Sequence, residues 1–315
     1  MLNHFFSVKD CPDTMGWIYE ALKLKNNPYE YKGLGINKTL GLIFFNASLR
    51  TRLSTIKAAQ NLGMETITFD INKDGWQLET THGGVMDGNH VEHIREAAAV
   101  MGGYCDILGV RAFPTFLSKR EDYLEKYLRG FQEYAGVPIV NLESATLHPL
   151  QSFADLMTIE QHKKKKRPKV VMSWAPHIKA LPQSVPNSFS QWMQYYDADF
   201  HIVHPKGMEL DTKFTKNAKL SHNQDNAFKE ADFIYVKNWS SYHNYGEIQK
   251  NRKEWMITLE KLQSTPKAKL MHCLPVRRNV VIADNAMDSQ HSIIHDQAYN
   301  RVFATQLVLK KILRS

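Results

Sequence analysis

Leu40-Gly41-Leu42-Ile43-Phe44-Phe45-Asn46-Ala47-Ser48-Leu49-Arg50-Thr51-Arg52 is the stretch on which the reading of this chain turns. The apolar run over 40–45 predicts a buried strand, and residues 53–62 have helical spacing that ends at Gly63. A strand therefore delivers Ser48, Arg50, Thr51 and Arg52 to the first turn of a helix. Free N–H groups and the positive dipole end at such a turn favour an anion. Arginine adds charge-assisted, fork-shaped donors suited to phosphate. The alternative at this point is an ordinary surface helix capped by Ser48.

Outward from this turn, strand and helix patterns alternate. Asp13 caps a helix whose Trp17, Ile18, Ala21 and Leu22 share one face. A strand is expected over 64–70, then a turn-rich loop over 72–76 that presents Trp76. A helix over 92–101 is expected to stop at Gly102-Gly103, followed by a strand over 105–110, a helix over 121–134 and a strand over 137–140. The pattern breaks at 143–149, and a long helix over 150–162 follows. Strands are then expected over 170–174, 200–204, 233–236 and 269–272, with helices over 185–195, 226–231 and 296–313. The fold class is α/β, with two domains each built on a central parallel sheet flanked by helices. The expected domains are 1–147 and 148–295, with a C-terminal helix, 296–315, packing back on the first. The proline-bearing loop over 175–186 is long for a strand–helix connection and reads as functional.

Composition narrows the classes. At 315 residues the chain suits two domains, and its hydrophobic and charged content is that of an ordinary soluble protein. Cys11, Cys105 and Cys273 are odd in number and widely spaced, which argues against a disulfide framework and a cysteine-based zinc site. The first 13 residues lack the apolar core of a signal peptide, and no uncharged apolar run is long enough for a membrane span, so a cytoplasmic protein is expected. The formal charge of +8 fits either a nucleic-acid surface or a cleft lined by anion-binding cations. The densest basic run, 163–167, reads as a solvated helix end, and no nucleic-acid-binding signature accompanies it.

Ligands of open parallel sheets bind beyond the carboxyl ends of the strands. There the first domain offers Ser48, Arg50, Thr51, Arg52, Trp76, Arg111, Glu143 and His148; the second offers His177, Lys237, Cys273, Leu274, Arg277 and Arg278. Singly, each has an ordinary explanation: a surface arginine, a helix-start histidine, a small buried thiol. Together they make a cation-rich site that needs an anion. No glycine-rich dinucleotide fingerprint, P-loop, Gly-x-Ser-x-Gly elbow or carboxylate cluster with metal-ligand spacing accompanies them. No metal and no cofactor are expected, and transfer chemistry driven by positioning and electrostatics is.

Three motifs carry a family resemblance. Ser48-Leu49-Arg50-Thr51-Arg52 resembles the Ser-x-Arg-Thr-Arg phosphate loop of carbamoyltransferases, His148-Pro149-Leu150-Gln151 their His-Pro-x-Gln motif, and His272-Cys273-Leu274-Pro275 the His-Cys-Leu-Pro motif of the ornithine branch. The ornithine branch's Ser-Met-Gly loop is missing. Instead, Trp174-Ala175-Pro176-His177 with the proline-bearing loop, and Val276-Arg277-Arg278-Asn279, resemble N-acylornithine carbamoyltransferases. The resemblance covers nearly the whole chain. It implies a carbamoyl-phosphate domain, an acylornithine domain, a deep knot at the proline-bearing loop, and a homotrimer with active sites at subunit interfaces.

It also implies roles. Ser48, Leu49, Arg50 and Thr51 bind phosphate, with Arg301 completing the site. Arg111, His148 and Gln151 hold and polarise the carbonyl, and Cys273 and Leu274 orient the carbamoyl amide. Glu143, His177, Lys237, Leu274 and Arg277 contact the acylornithine, and Trp76 reaches in from a neighbouring subunit. A catalytic Arg111 predicts that Arg111→Ala harms turnover more than folding. Val91 stands where acetyl-specific members carry glutamate, and its segment is Gly88-Asn89-His90-Val91 where succinyl-type members resemble Gly-Asp-Lys-Pro. The expected reaction is transfer from carbamoyl phosphate to the δ-amine of N-succinyl-L-ornithine, giving N-succinyl-L-citrulline in arginine biosynthesis. The alternatives are N-acetyl-L-ornithine as acceptor, and an inactive carbamoyltransferase-like binding protein.

Overall fold

The apolar run forms strand β1 (Thr39–Phe44), buried along all but its first residue. It lies between helices α1 (Thr14–Asn26) and α2 (Arg50–Leu62), which end at an Asp13 cap and at Gly63 with φ +84°. The computed structural model describes residues 2–248 and 251–314; Ser315, the last residue of the expected C-terminal helix, lies outside them. Next come β2 (Glu65–Asp70), α3 (Ile94–Tyr104), β3 (Ile107–Arg111), α4 (Lys126–Tyr134) and β4 (Ile139–Glu143). The sheet runs in the order β2-β1-β3-β4, every pair parallel. Ile43, Ile94, Ala98, Leu108, Leu128 and Phe131 join one apolar cluster against it. Burying a side chain the size of Phe131 stabilises by about 1.5–3 kcal/mol.

Helix α5 (Pro149–His162) precedes β5 (Lys169–Trp174), α6 (Ser184–Met193), β6 (Asp199–Val203), β7 (Lys219–Ser221), α7 (Gln224–Phe228), β8 (Phe233–Lys237), β9 (Lys269–Met271) and α8 (Ile294–Leu313). Here the order is β9-β8-β5-β6-β7, again parallel throughout. Val170, Val171, Met172 and the whole of β8 are buried, the continuous apolar character of a sheet covered on both faces. Phe189 meets Tyr235 edge-on at 4.6 Å, and Phe153 stacks on Trp192 at 5.2 Å. The chain divides into two compact units: Gln151–Asn300, and the remainder, which includes α8 from Arg301 onward. Among the described residues, no helix is long and apolar enough to cross a membrane.

In each sheet the strand order reverses at one point. The first chain segment runs β1 to β2, then crosses to β3 on the other side of β1; Phe44 and Arg111 are register partners at the carboxyl end. The second runs β5, β6, β7, then crosses to β8, with Trp174 opposite Lys237. Such reversals open a crevice between diverging connections, where ligands of this architecture sit.

Several boundaries differ from the expectation. Helix α3 runs through Gly102-Gly103 to Tyr104. Gly102 marks a close approach, because a Cβ there would lie 1.8 Å from the Ala135 carbonyl oxygen. The helix expected over 121–134 is two helices, Lys119–Tyr123 and α4, broken at Glu125 with φ +50°. Asp122 accepts from the Thr115 and Phe116 N–H groups, and Glu125 from the Thr146 N–H and hydroxyl (3.1 and 2.6 Å). These local bonds offset the left-handed residue, which costs about 1–3 kcal/mol. Strand β4 extends to Glu143, so Asn141 and Glu143 are strand residues rather than part of a break. Strand β7, and the two-residue pairing of Leu78–Glu79 with Glu92–His93, were not expected.

Candidate functional site

Within the first unit, the opening stretch becomes the turn between β1 and α2. The Ser48 hydroxyl accepts from the Thr51 N–H at 3.2 Å, so a cap shapes the turn and leaves neighbouring N–H groups for other acceptors. Thr51 is buried, and its Oγ1 accepts from Arg301 Nη2 at 2.7 Å, which leaves the threonine's own hydroxyl hydrogen to donate. The Arg52 guanidinium lies over the Phe44 ring at 5.0 Å. Leu49 is exposed.

Arg111 ends β3 beside this turn. Its Nη1 donates to the carbonyls of Asn46 and Ala47 (2.9 and 2.8 Å), and its Nη2 to Glu143 Oε2 at 3.2 Å. Its buried Nε has no partner among the described residues. His148 Nε2 lies 3.6 Å from the same Glu143 oxygen. Arg301, Thr51 and Ser48 form one set of contacts and Arg111, Glu143 and His148 a second; the Arg111 bonds to the Asn46 and Ala47 carbonyls place the second beside the turn that carries the first. Trp76 and Val91 are not part of either. Both are exposed, and Trp76 Nε1 donates to Glu92 Oε2 at 2.9 Å, next to Val91.

The second unit holds the rest. Gln151 is buried in α5; its Nε2 donates to Asp155 Oδ1 at 2.8 Å, and its Oε1 has no partner among the described residues. Gln297 Nε2 donates to the same Asp155 oxygen at 2.7 Å, and Gln297 Oε1 accepts from the His272 N–H at 2.8 Å. His272 Nδ1 in turn accepts from the Leu274 N–H at 2.8 Å. That bond holds Leu274 at φ +57°, with Cys273 buried just before it. Gln151 and the Cys273-Leu274 turn are therefore fixed by one buried hub, Asp155.

His177, Lys237 and Arg277, expected from the sequence to contact the acceptor, lie close enough to influence one another near the β5/β8 reversal. Lys237 ends β8 and is buried. Burial lowers the pKa of His177, and the Lys237 and Arg277 cations lower it further, so this imidazole is neutral at pH 7. His177 Nδ1 lies 3.0 Å from the Lys179 carbonyl oxygen and 3.1 Å from the Lys179 amide nitrogen. The long loop after β5 is pinned by Asn238 Nδ2 to the Ala175 carbonyl, Gln183 Nε2 to the Ser240 carbonyl, and the Ser240 N–H to the Leu181 carbonyl. Lys237 is the buried cation of this group and Arg277 is exposed; a buried cation calls for an anionic partner such as a carboxylate.

Sequence reasoning missed Asp155, Gln297 and Asn238. Asp155 was findable, since it stands one helical turn after Gln151 and an (i, i+4) pair shares a face. Gln297 is far away in sequence and had no such signal. Replacing Asp155 by Ala strands the Gln151 and Gln297 amides and is expected to destabilise by about 2–4 kcal/mol. A urea melt checks this; an unchanged midpoint would remove Asp155 as the hub.

The profile described as aspartate/ornithine carbamoyltransferase, carbamoyl-P binding domain, matches residues 3–161, and that of the Asp/Orn binding domain matches residues 182–312. The chain is 50% identical over 314 residues to an N-succinylornithine carbamoyltransferase of Bacteroides thetaiotaomicron, covering 99% of each chain. It is 33% identical to an N-acetylornithine carbamoyltransferase of Xylella fastidiosa, covering 98% of each. Among solved structures it resembles an N-acetyl-L-ornithine transcarbamylase variant with one glutamate replaced by valine, complexed with carbamyl phosphate and N-succinyl-L-norvaline. That match has a TM-score of 0.90 at 30% identity, over 99% of this chain and 100% of the other.

Proposed function

The chain belongs to the aspartate/ornithine carbamoyltransferase family, and from that premise we propose that it carbamoylates the δ-amine of N-succinyl-L-ornithine. Phosphate and N-succinyl-L-citrulline are the products, and arginine biosynthesis is the setting. The observation that carries this reading is the full-length 50% identity to an N-succinylornithine carbamoyltransferase. Val91 supports it, since no carboxylate stands there to repel a succinyl group.

The first unit is the carbamoyl-phosphate domain. Ser48, Leu49, Arg50 and Thr51 receive the phosphate, with Arg301 behind Thr51. Arg111 and His148 donate to the carbonyl oxygen. Gln151, held by Asp155, offers its unpartnered Oε1 to the carbamoyl NH2. Cys273 and the Leu274 carbonyl orient the same group. In the second unit, His177, Lys237 and Arg277 take the carboxylates of the acceptor.

The neutral δ-amine donates its lone pair to the carbamoyl carbon. A C–N bond forms, negative charge moves to the carbonyl oxygen, and that charge returns as the C–O bond to phosphate breaks. The amine proton leaves with phosphate or water. Fixed donors at the oxygen and the phosphate stabilise charge that grows only in the transition state. The same reading carries a cytoplasmic homotrimer, Trp76 and Val91 of one subunit serving the site of the next, and a knot at the proline-bearing loop.

Parallel assays with N-succinyl- and N-acetyl-L-ornithine test it. Carbamoylation of the succinyl compound with a higher kcat/KM is expected; turnover of the acetyl compound alone would overturn the acceptor.

A further inference from the structure

A second cluster of chemistry-bearing side chains lies in the second unit, away from the residues assigned to transfer. His204 directly follows β6, His222 directly follows β7, and Glu209 sits in the loop between them. One ligand atom from each of the three lies within 4.8 Å of the other two. A cavity of about 290 Å³ adjoins them, lined in part by Asp211, Tyr242 and His243.

The hydrogen bonds fix the histidine tautomers. His204 Nδ1 lies 2.9 Å from the Pro205 carbonyl oxygen, and His222 Nδ1 lies 2.9 Å from the His204 carbonyl oxygen. A carbonyl can only accept, so each Nδ1 carries a proton, and in the neutral ring each Nε2 keeps its lone pair. Backbone carbonyls that orient imidazoles in this way are the usual outer support of metal-ligating histidines. The Gly207 N–H donates to Glu209 Oε1 at 3.1 Å and orients the third donor.

We propose that His204, His222 and Glu209 bind one divalent transition-metal ion, Zn2+ being the best fit, at a site separate from the carbamoyl-transfer groups. Two imidazole nitrogens and one carboxylate oxygen satisfy three positions of a tetrahedron, leaving one for water. The histidines stand 18 positions apart, on the ends of neighbouring strands, so no local spacing signals the site in the sequence. The parallel register of β6 and β7, with Val203 opposite Ser221, brings them together.

The ion would tie the 204–209 loop to the end of β7. That loop already reaches toward the acceptor-side segment, since Trp239 Nε1 donates to the Met208 carbonyl at 2.7 Å, two residues after Lys237. The site therefore acts as a clip on the support of the acceptor side.

The test is Zn2+ titration of the full-length, chelator-treated protein, followed by calorimetry and by thermal melting. One Zn2+ per chain and a rise in Tm are expected for the parent. His222→Ala removes an exposed ligand, and Glu209→Gln removes the charge with little change of shape. Each should weaken Zn2+ binding by more than about 100-fold, beyond the usual 10–100-fold loss at supporting positions, and should abolish the Tm rise. Zn2+ binding that survives both substitutions, or no stoichiometric binding by the parent, would overturn the site. Unchanged circular dichroism of the metal-free variants separates loss of a ligand from loss of fold.

Discussion

Arg111→Ala is expected to slow carbamoyl transfer by about 10²–10³-fold, the usual loss for one well-placed oxyanion donor, and to destabilise the protein by about 3–5 kcal/mol, as for one partner removed from a buried ion pair. The second effect departs from the expectation drawn from sequence, where Arg111 harmed turnover far more than folding. The Arg111 and Glu143 side chains are each only 8% exposed, and Arg111 also clamps the Asn46 and Ala47 carbonyls. Truncation takes the guanidinium from a buried carboxylate that keeps His148 nearby, and from two backbone carbonyls. The two roles separate in the double variant Arg111→Ala/Glu143→Gln. A neutral amide removes the stranded charge, so much of the stability should return while the rate stays low. Single-turnover rates and urea melts on both variants decide. Recovery of rate along with stability would make Arg111 a structural residue.

Val91→Glu is expected to change the ratio of kcat/KM for succinyl over acetyl acceptor by about 30–150-fold in favour of acetyl, which corresponds to about 2–3 kcal/mol of like-charge repulsion. Val91 is 69% exposed within the chain, so stability should change by no more than about 0.5 kcal/mol. An unaltered ratio would mean that position 91 does not meet the acyl group.

Much of the fold was legible because parallel strands buried on both faces read as apolar runs. Strands β1, β5 and β8 were found within a residue or two for that reason. Short edge pieces carry no such run: Lys219–Ser221 is largely exposed and went unseen. Gly102-Gly103 misled because a glycine that permits close packing looks the same as one that ends a helix. At the site, Ser48, Thr51, Arg111 and His148 were recognisable as polar groups at strand ends; Ser48 meets Thr51, Arg111 and His148 share the Glu143 carboxylate, and Arg111 reaches the Ala47 carbonyl next to Ser48. The supporting hub was not legible as a whole, because Asp155 and Gln297 are distant in sequence and meet only through tertiary packing. Glu143 was expected to contact the acylornithine; its carboxylate is engaged by Arg111 and His148.

The all-parallel sheets carry a kinetic consequence. No strand in either sheet can pair through a tight hairpin; Thr39 must find Glu65, Leu40 must find Ile107, and Phe233 must find Val170. Each ladder forms only after a long loop has closed, so chain entropy is lost before hydrogen bonds repay it. Refolding of this chain should be slow for its size, with strand edges open to other molecules while the crossovers assemble. The arrangement that puts the reactive side chains at the strand reversals is the same one that makes the chain dependent on dilution, or on chaperones, while it reaches them.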